Sequence, residues 1–279
     1  MKRKKLLKRI LHYFAIVALL AIVLFPFYMM IITAFKQSLE AVAFPPTLWP
    51  SQITLQHFAD VLNPAIFPFG RYALNSLCIS LSTAFISTTV GGMAAYSITR
   101  LEFPGRMVFK EYTLMVYMIS GILLVVPLYR IISSIGLNNT FWAVIIADTV
   151  STLPAAIYML SGYFATIPIE LEEAAMVDGM SRIKIIVHIV LPLSVPAVSS
   201  TFIYVFMIAW NEFLFSFTFL SSRETMTLAL GLKQLFGTMD YVWGRMMAAS
   251  LLMAIPVVCV FTFCEKSIAS GLVAGGVKG

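Results

Sequence analysis

From Ile10 to Phe35 the chain runs for about 25 residues without a lysine, arginine or carboxylate, and this run constrains the fold more than any other feature. A stretch of that length is too long for the apolar core of a secretory signal and long enough to cross a bilayer, so it reads as a retained span. Inside hydrocarbon every backbone N–H and C=O must be satisfied within the protein, which leaves helices as the solution for such a run. Five further apolar stretches come after it: about 73–98, 108–132, 141–164, 192–220 and 244–264. Composition agrees, since 60% of residues are hydrophobic and 11% charged, against roughly 25% charged in soluble domains. The expectation is an all-α polytopic membrane protein with six transmembrane helices in one domain over 1–279, which leaves no length for a soluble domain. Pro127 inside the third stretch predicts a kink there. Small residues in the second, among them Ser87, Thr88, Gly91 and Gly92, predict close helix packing. Cys78, Cys259 and Cys264 lie in apolar stretches without metal-ligand spacing and are expected to be buried, inert thiols.

The one long polar interval in the second half is Glu170 to Pro192, ELEEAAMVDGMSRIKIIVHIVLP. Pro168 and the carboxylates of Glu170, Glu172 and Glu173 predict a helix start, because acidic groups complement the positive end of the helix dipole. Ala174 and Ala175 leave a face without bulk, and Asp178-Gly179 predicts a left-handed stop. Ser181 is the expected N-cap of a second helix. Its stripe of Ile183, Ile186, Val187 and Val190 opposes Arg182, Lys184 and His188 and suits a membrane surface.

Glu173-Ala174-Ala175, three residues, Gly179, nine residues, Ile189, one residue and Leu191-Pro192 form a pattern that resembles the EAA loop of ABC importer permeases. The segments FPPTLWPSQITLQHFADVL, NSLCISLSTAFISTTVGGMAAYSITRLEFPGR, WNEFLF and the terminal GLVAGGVKG extend that resemblance over nearly the whole chain. They are similar to the carbohydrate branch, the maltose-type second permease. The resemblance implies a cytoplasmic coupling loop over about 165–191, with Glu173, Ala174, Ala175, Asp178, Gly179, Ile189, Leu191 and Pro192 as its functional positions. It also implies a homologous second permease, two cytoplasmic ATPase subunits that use ATP, a solute-binding protein at the outer face and a carbohydrate as cargo. In some relatives the glycine-rich tail reaches toward the ATPases.

Charge gives an orientation independently. With six spans, thirteen of the nineteen Lys and Arg residues fall on the side of both termini and of the Glu170 interval, and six on the other. The positive-inside rule then places both termini and that interval in the cytoplasm, and the resemblance implies that the membrane is a bacterial cytoplasmic (inner) one. The +6 net charge is concentrated in the first nine residues, so it reads as a topology signal and not as a nucleic-acid surface.

Few residues offer chemistry. The tail lacks the Gly-Lys-Ser/Thr of a phosphate loop, so no cofactor or nucleotide is expected on this chain, and no metal site is expected either. Asp148 and Glu212 are acids inside expected spans, where charge normally faces a cavity or a partner. The alternative is that both reach water at the outer surface. Trp210-Asn211-Glu212-Phe213 combines planar polar groups with aromatics, the composition of a sugar path, so Trp210, Asn211, Glu212 and Asp148 are the candidate pathway residues. Tyr96, Tyr117 and Tyr204 are expected to pack. A membrane protease is disfavoured, because no second intramembrane Asp, GxGD or HExxH occurs, and His12, His57 and His188 are scattered. An ion-gradient-driven secondary transporter is the other transport reading, though such proteins bury more ionisable groups near the midplane.

Overall fold

The computed structural model describes the backbone of residues 2–236 and 243–275 and the side chains of 8–235 and 243–265. The end of the terminal GLVAGGVKG, residues 276–279, therefore lies outside the described residues. The described residues are helical in regular structure: α1 (Lys2–Phe35), α2 (Ser38–Ala41), α3 (Gln56–Leu62), α4 (Phe69–Arg100), α5 (Arg106–Tyr117), α6 (Gly121–Ser134), α7 (Phe141–Phe164), α8 (Glu170–Val177), α9 (Arg182–Ile185), a π turn (Ile186–Val190), α10 (Leu191–Leu193), α11 (Val195–Trp210), α12 (Leu214–Phe219), α13 (Leu228–Phe236) and α14 (Trp243–Gly275). Four are long and apolar enough to cross a membrane, within α1, α4, α7 and α14. Two bent pairs, Arg106–Tyr117 with Gly121–Ser134 and Arg182–Leu193 with Val195–Trp210, bring the number to six when each is taken as one broken span.

The breaks differ from the expectation. The third span turns by 102°, but the turn falls at Met118 to Ser120 and not at Pro127, which sits inside α6. An interior proline removes only one backbone donor, and α6 absorbs that loss without ending. The fifth span does not run from Pro192 to Leu220. It bends by 78° before Val195 and stops at Trp210, and α12 starts anew at Leu214.

The chain divides into two compact units, Met1–Gly70 with Leu232–Ile255, and Arg71–Gly231 with Pro256–Gly279. In the first, the polar excursion after α1 carries the short helices α2 and α3 and is tied together by hydrogen bonds. The Lys36 ammonium is buried on the Thr47 carbonyl, and His57 Nε2 lies 2.9 Å from the Lys36 carbonyl. Ser51 donates its hydroxyl and N–H to Glu40 and, with Thr47, holds that carboxyl below the usual carboxylate range. The start of α14 is fixed on α3: Arg245 Nε donates to Asp60 at 2.6 Å, and a Cβ on Gly244 would overlap the His57 ring.

In the second unit α4 and α7 meet as their small residues predict. Ser87 and Thr152 hydroxyls are 2.9 Å apart, and a Cβ on Gly91 would stand 2.9 Å from that of Ala156. One core gathers Ile79, Ile132, Val144, Phe215 and Phe219 from α4, α6, α7 and α12. A second joins Tyr96, Leu160, Phe164, Ala175, Ile185 and Val190, so the polar interval is built onto the ends of α4 and α7. The 221–228 connection is laced down by Asn75 Nδ2, which donates to the carbonyls of Glu224 and Met226, and by Ser76 Oγ, which accepts from the Leu228 N–H. The cysteines differ from expectation: Cys78 and Cys259 are exposed and Cys264 is half-buried. They occupy apolar helix faces that this chain leaves uncovered, and an apolar face in a bilayer needs no protein cover.

Candidate functional site

The helix expected at Glu170 forms as α8, with Glu170, Glu172 and Glu173 in its first turn. Its end is a Schellman stop: the Met180 N–H donates to the Ala175 carbonyl, the Gly179 N–H to that of Met176, both at 3.0 Å, and Gly179 has φ +82°. Beyond that stop the chain departs from a regular amphipathic helix. Ser181 makes no side-chain cap, and α9 passes into the π turn. A π turn brings residues five apart onto one side, so Ile185 and Val190 are the buried pair. Of the expected stripe, Ile183 and Val187 are exposed instead.

One residue anchors this loop, and its role is not marked by the motif. Glu172 is buried, and its carboxylate accepts from Arg100 Nε at 2.7 Å and from the Tyr96 hydroxyl at 2.8 Å. Arg100 Nη2 also donates to the Ile167 carbonyl. The end of α4 thus holds α8 through a desolvated ion pair whose lone pairs are met, the arrangement that makes a buried pair tolerable. A Glu beside the EAA triplet and an Arg ending an apolar run were visible signals, but they lie 72 residues apart.

Ala175 is buried in the second core, so it belongs to the anchored side of α8, contrary to the expected bare face of two alanines. Glu173, Ala174, Val177 and Asp178 are exposed. Val177 at 88% exposed, with Met176, Met180 and Ile183 around it, makes an uncovered apolar tip, a surface feature that soluble monomers avoid and docking sites use. Ile189 packs against the second core, and Leu191 and Pro192 line a shallow apolar recess with Val187, Val195 and Val198. The motif positions therefore divide: Glu173 and Ala174 stand exposed on α8, Ala175 packs inward, and Ile189, Leu191 and Pro192 lie where the loop joins α11.

The pathway candidates separate. Trp210 is buried and stacks on Phe206, 5.8 Å between ring centroids, so its ring faces the interior. Asn211 is exposed and donates to the Met207 carbonyl, closing α11. Glu212 takes the N–H groups of Phe215 and Ser216 and starts α12, so it is a capping carboxylate at the break and not a residue within a helix. Asp148 on α7 is 1% exposed, so its carboxyl is enclosed by this chain and does not lie at a water-facing surface of it. Its Oδ2 and Trp210 Nε1 are buried without a partner atom among the described residues. Phe213 and Phe217 stack at 5.6 Å beside Asn211 and are partly exposed, an aromatic pair at i, i+4 of which only Phe213 was singled out from sequence. Tyr96 is buried as expected, whereas the Tyr117 and Tyr204 hydroxyls are 3.3 Å apart and solvent-accessible. Among the described residues no group of His, Cys, Asp and Glu could hold a metal.

Residues 87–266, from the middle of α4 into α14, match the family described as binding-protein-dependent transport system inner membrane component. The chain belongs to this family. It is 50% identical over 276 residues to the inner membrane ABC transporter permease protein YcjP of Escherichia coli (strain K12), with 99% of each chain covered. Over 278 residues it is 36% identical to the trehalose/maltose transport system permease protein MalG of Thermococcus litoralis, again with 99% of each covered. A chain from a bacterial ABC transporter involved in the import of the acidic polysaccharide alginate superposes with a TM-score of 0.78 at 18% identity, covering 95% of this chain and 97% of that one. That likeness concerns the fold. The chain is thus the membrane-embedded permease of a binding-protein-dependent ABC importer, a transport component and not a member of an enzyme family. The ion-gradient reading falls with this assignment.

Proposed function

We propose that this permease forms half of the path by which a carbohydrate crosses the bacterial cytoplasmic membrane, paired with a homologous permease. A solute-binding protein delivers the sugar outside, and two ATPase subunits inside supply the energy from ATP. The observation that carries the coupling part is the tip of α8. It is held from behind by the Glu172–Arg100 pair, ends in a glycine-dependent reversal, and presents Glu173, Ala174 and Val177 outward with none of the described residues over them. A helix so held moves as a body with the ends of α4 and α7. Closure of an ATPase pair gripping the tip is thereby transmitted to the spans. The sugar part is supported by the relatives' names and by Asn211 beside the Phe213–Phe217 stack, a planar polar group next to aromatic faces. Glu212 and Asp148 are assigned to the same path in this reading. The orientation rests on the excess of basic residues at the α8 end.

The test is substrate-stimulated ATP hydrolysis by the complex reconstituted with its partner permease, ATPases and binding protein. Ala174→Trp adds bulk at an exposed position and leaves folding intact, whereas Gly179→Val meets no neighbour and costs about 1–2 kcal/mol through its positive φ alone. Both are expected to insert normally and to weaken ATPase association or uncouple hydrolysis from uptake. Full stimulation and full uptake in both variants would falsify the docking assignment. Uptake is also expected to persist when a protonophore collapses the ion gradient.

A further inference from the structure

Where α4 and α7 end and α5 begins, at the same end of the spans as α8, the structure contains an open cleft of about 380 Å³. Arg106 and Lys110 stand one turn apart on α5 along its rim, Thr99 comes from α4, and Tyr158 and Ser161 come from α7. None of the residues lining it is acidic, and among the described residues neither cation takes part in an ion pair. Arg106 gives one donor to the Thr99 carbonyl at 3.1 Å, which aims the guanidinium while leaving its other N–H groups available. The Ser161 and Thr113 hydroxyls already donate to the carbonyls of Ile157 and Phe109, so each presents its oxygen as an acceptor. The rest of the wall is apolar, from Ile98, Met107, Leu114 and Ile157.

We propose that this cleft binds an anionic phospholipid, with its phosphate between Arg106 and Lys110, its acyl chains along the apolar wall and headgroup hydroxyls donating to Thr113 and Ser161. Three physical features select that occupant. The lining lies in the last turns of the spans, the depth of lipid headgroups, and the exposed Tyr158 ring there is of the kind that anchors helices at the interface. Two cations without counter-charge beside hydrocarbon-facing side chains match a group that is anionic at one end and apolar at the other. Acceptor oxygens in the rim suit a headgroup that carries hydroxyls, as phosphatidylglycerol does, better than a bare anion. The bound lipid also has a mechanical consequence, since it ties the start of the broken third span to the end of α7, the helix that leads into α8.

The experiment uses the assembled transporter in nanodiscs of equal phosphatidylglycerol and phosphatidylcholine, with retained lipid counted by native mass spectrometry after detergent extraction. The wild type is expected to retain phosphatidylglycerol in preference to phosphatidylcholine. Lys110→Gln, which breaks no side-chain hydrogen bond among the described residues, is expected to weaken that retention about fivefold, and Arg106→Gln combined with it to remove it. Lys8→Gln, a cation outside the cleft, is the matched control and is expected to change nothing. Equal retention of the two lipids by the wild type would overturn the proposal, as would unchanged retention in Lys110→Gln, the result expected if a partner chain covers the cleft. Binding of inorganic phosphate alone with no lipid preference would also overturn it, since the site would then be one for a free anion.

Discussion

Removing the Glu172 carboxylate leaves the Arg100 guanidinium nine-tenths buried with only a carbonyl for company. Breaking a desolvated pair from one side costs about 3–5 kcal/mol, so Glu172→Leu is expected to release α8 from α4 and lower the thermal stability of the purified complex. Glu172→Gln keeps the acceptor for the Tyr96 hydroxyl and is expected to lose less. The revealing measurement is the ratio of ATP hydrolysed to substrate moved: a mere packing role would lower assembly without changing that ratio, whereas loosening the tip raises it. The motif marked Glu173 and its neighbours because their spacing is local. It could not mark Glu172, whose importance comes from an arginine on another helix. Ala174 and Ala175 illustrate the same limit, since adjacent identical residues on a helix point about 100° apart, and only the neighbouring core decides that Ala175 is the covered one.

At the level of helices, α4 and α7 are in contact because Gly91 lets them be. A valine there would press on the Ala156 Cβ and backbone, and overpacking of this kind costs about 1–3 kcal/mol. Gly91→Val is therefore expected to lower expression and the melting temperature while leaving the isolated α8 tip able to bind its partner, which a pull-down with the ATPase separates from a coupling defect. The break between α11 and α12 makes a second prediction. Glu212 is positioned by two backbone N–H groups, so Glu212→Gln keeps an acceptor and is expected to preserve expression, whereas Glu212→Ala removes the cap and costs about 1 kcal/mol. If Asn211 and Glu212 border the sugar path, Asn211→Ala and Glu212→Gln shift substrate range or uptake rate; uptake unchanged across several sugars would leave Glu212 as a cap alone. Neither the break nor the 102° turn after Tyr117 was readable from hydropathy, because where such a helix ends depends on which backbone groups find a partner.

For the molecule as a whole, the orientation is the prediction with most at stake. Gln52 and Ser181 are both exposed and lie on opposite sides if the basic-residue excess is read correctly. In a background without Cys78, Cys259 and Cys264, two of which are accessible, Gln52→Cys in intact cells is expected to react with an impermeant thiol reagent and Ser181→Cys to be spared. The reverse pattern sinks the topology and with it the placement of the α8 tip beside the ATPases. The all-helical class, the left-handed stop at Gly179 and the family were legible in the chain, because length of apolar run, backbone permissiveness and motif spacing are properties of neighbouring residues. Three things were not: the anchor of Glu172 on Arg100, the inward turn of Trp210 and the cleft around Arg106 and Lys110. Each depends on which helix ends meet in space, and contacts between residues distant in sequence leave no periodic trace in it.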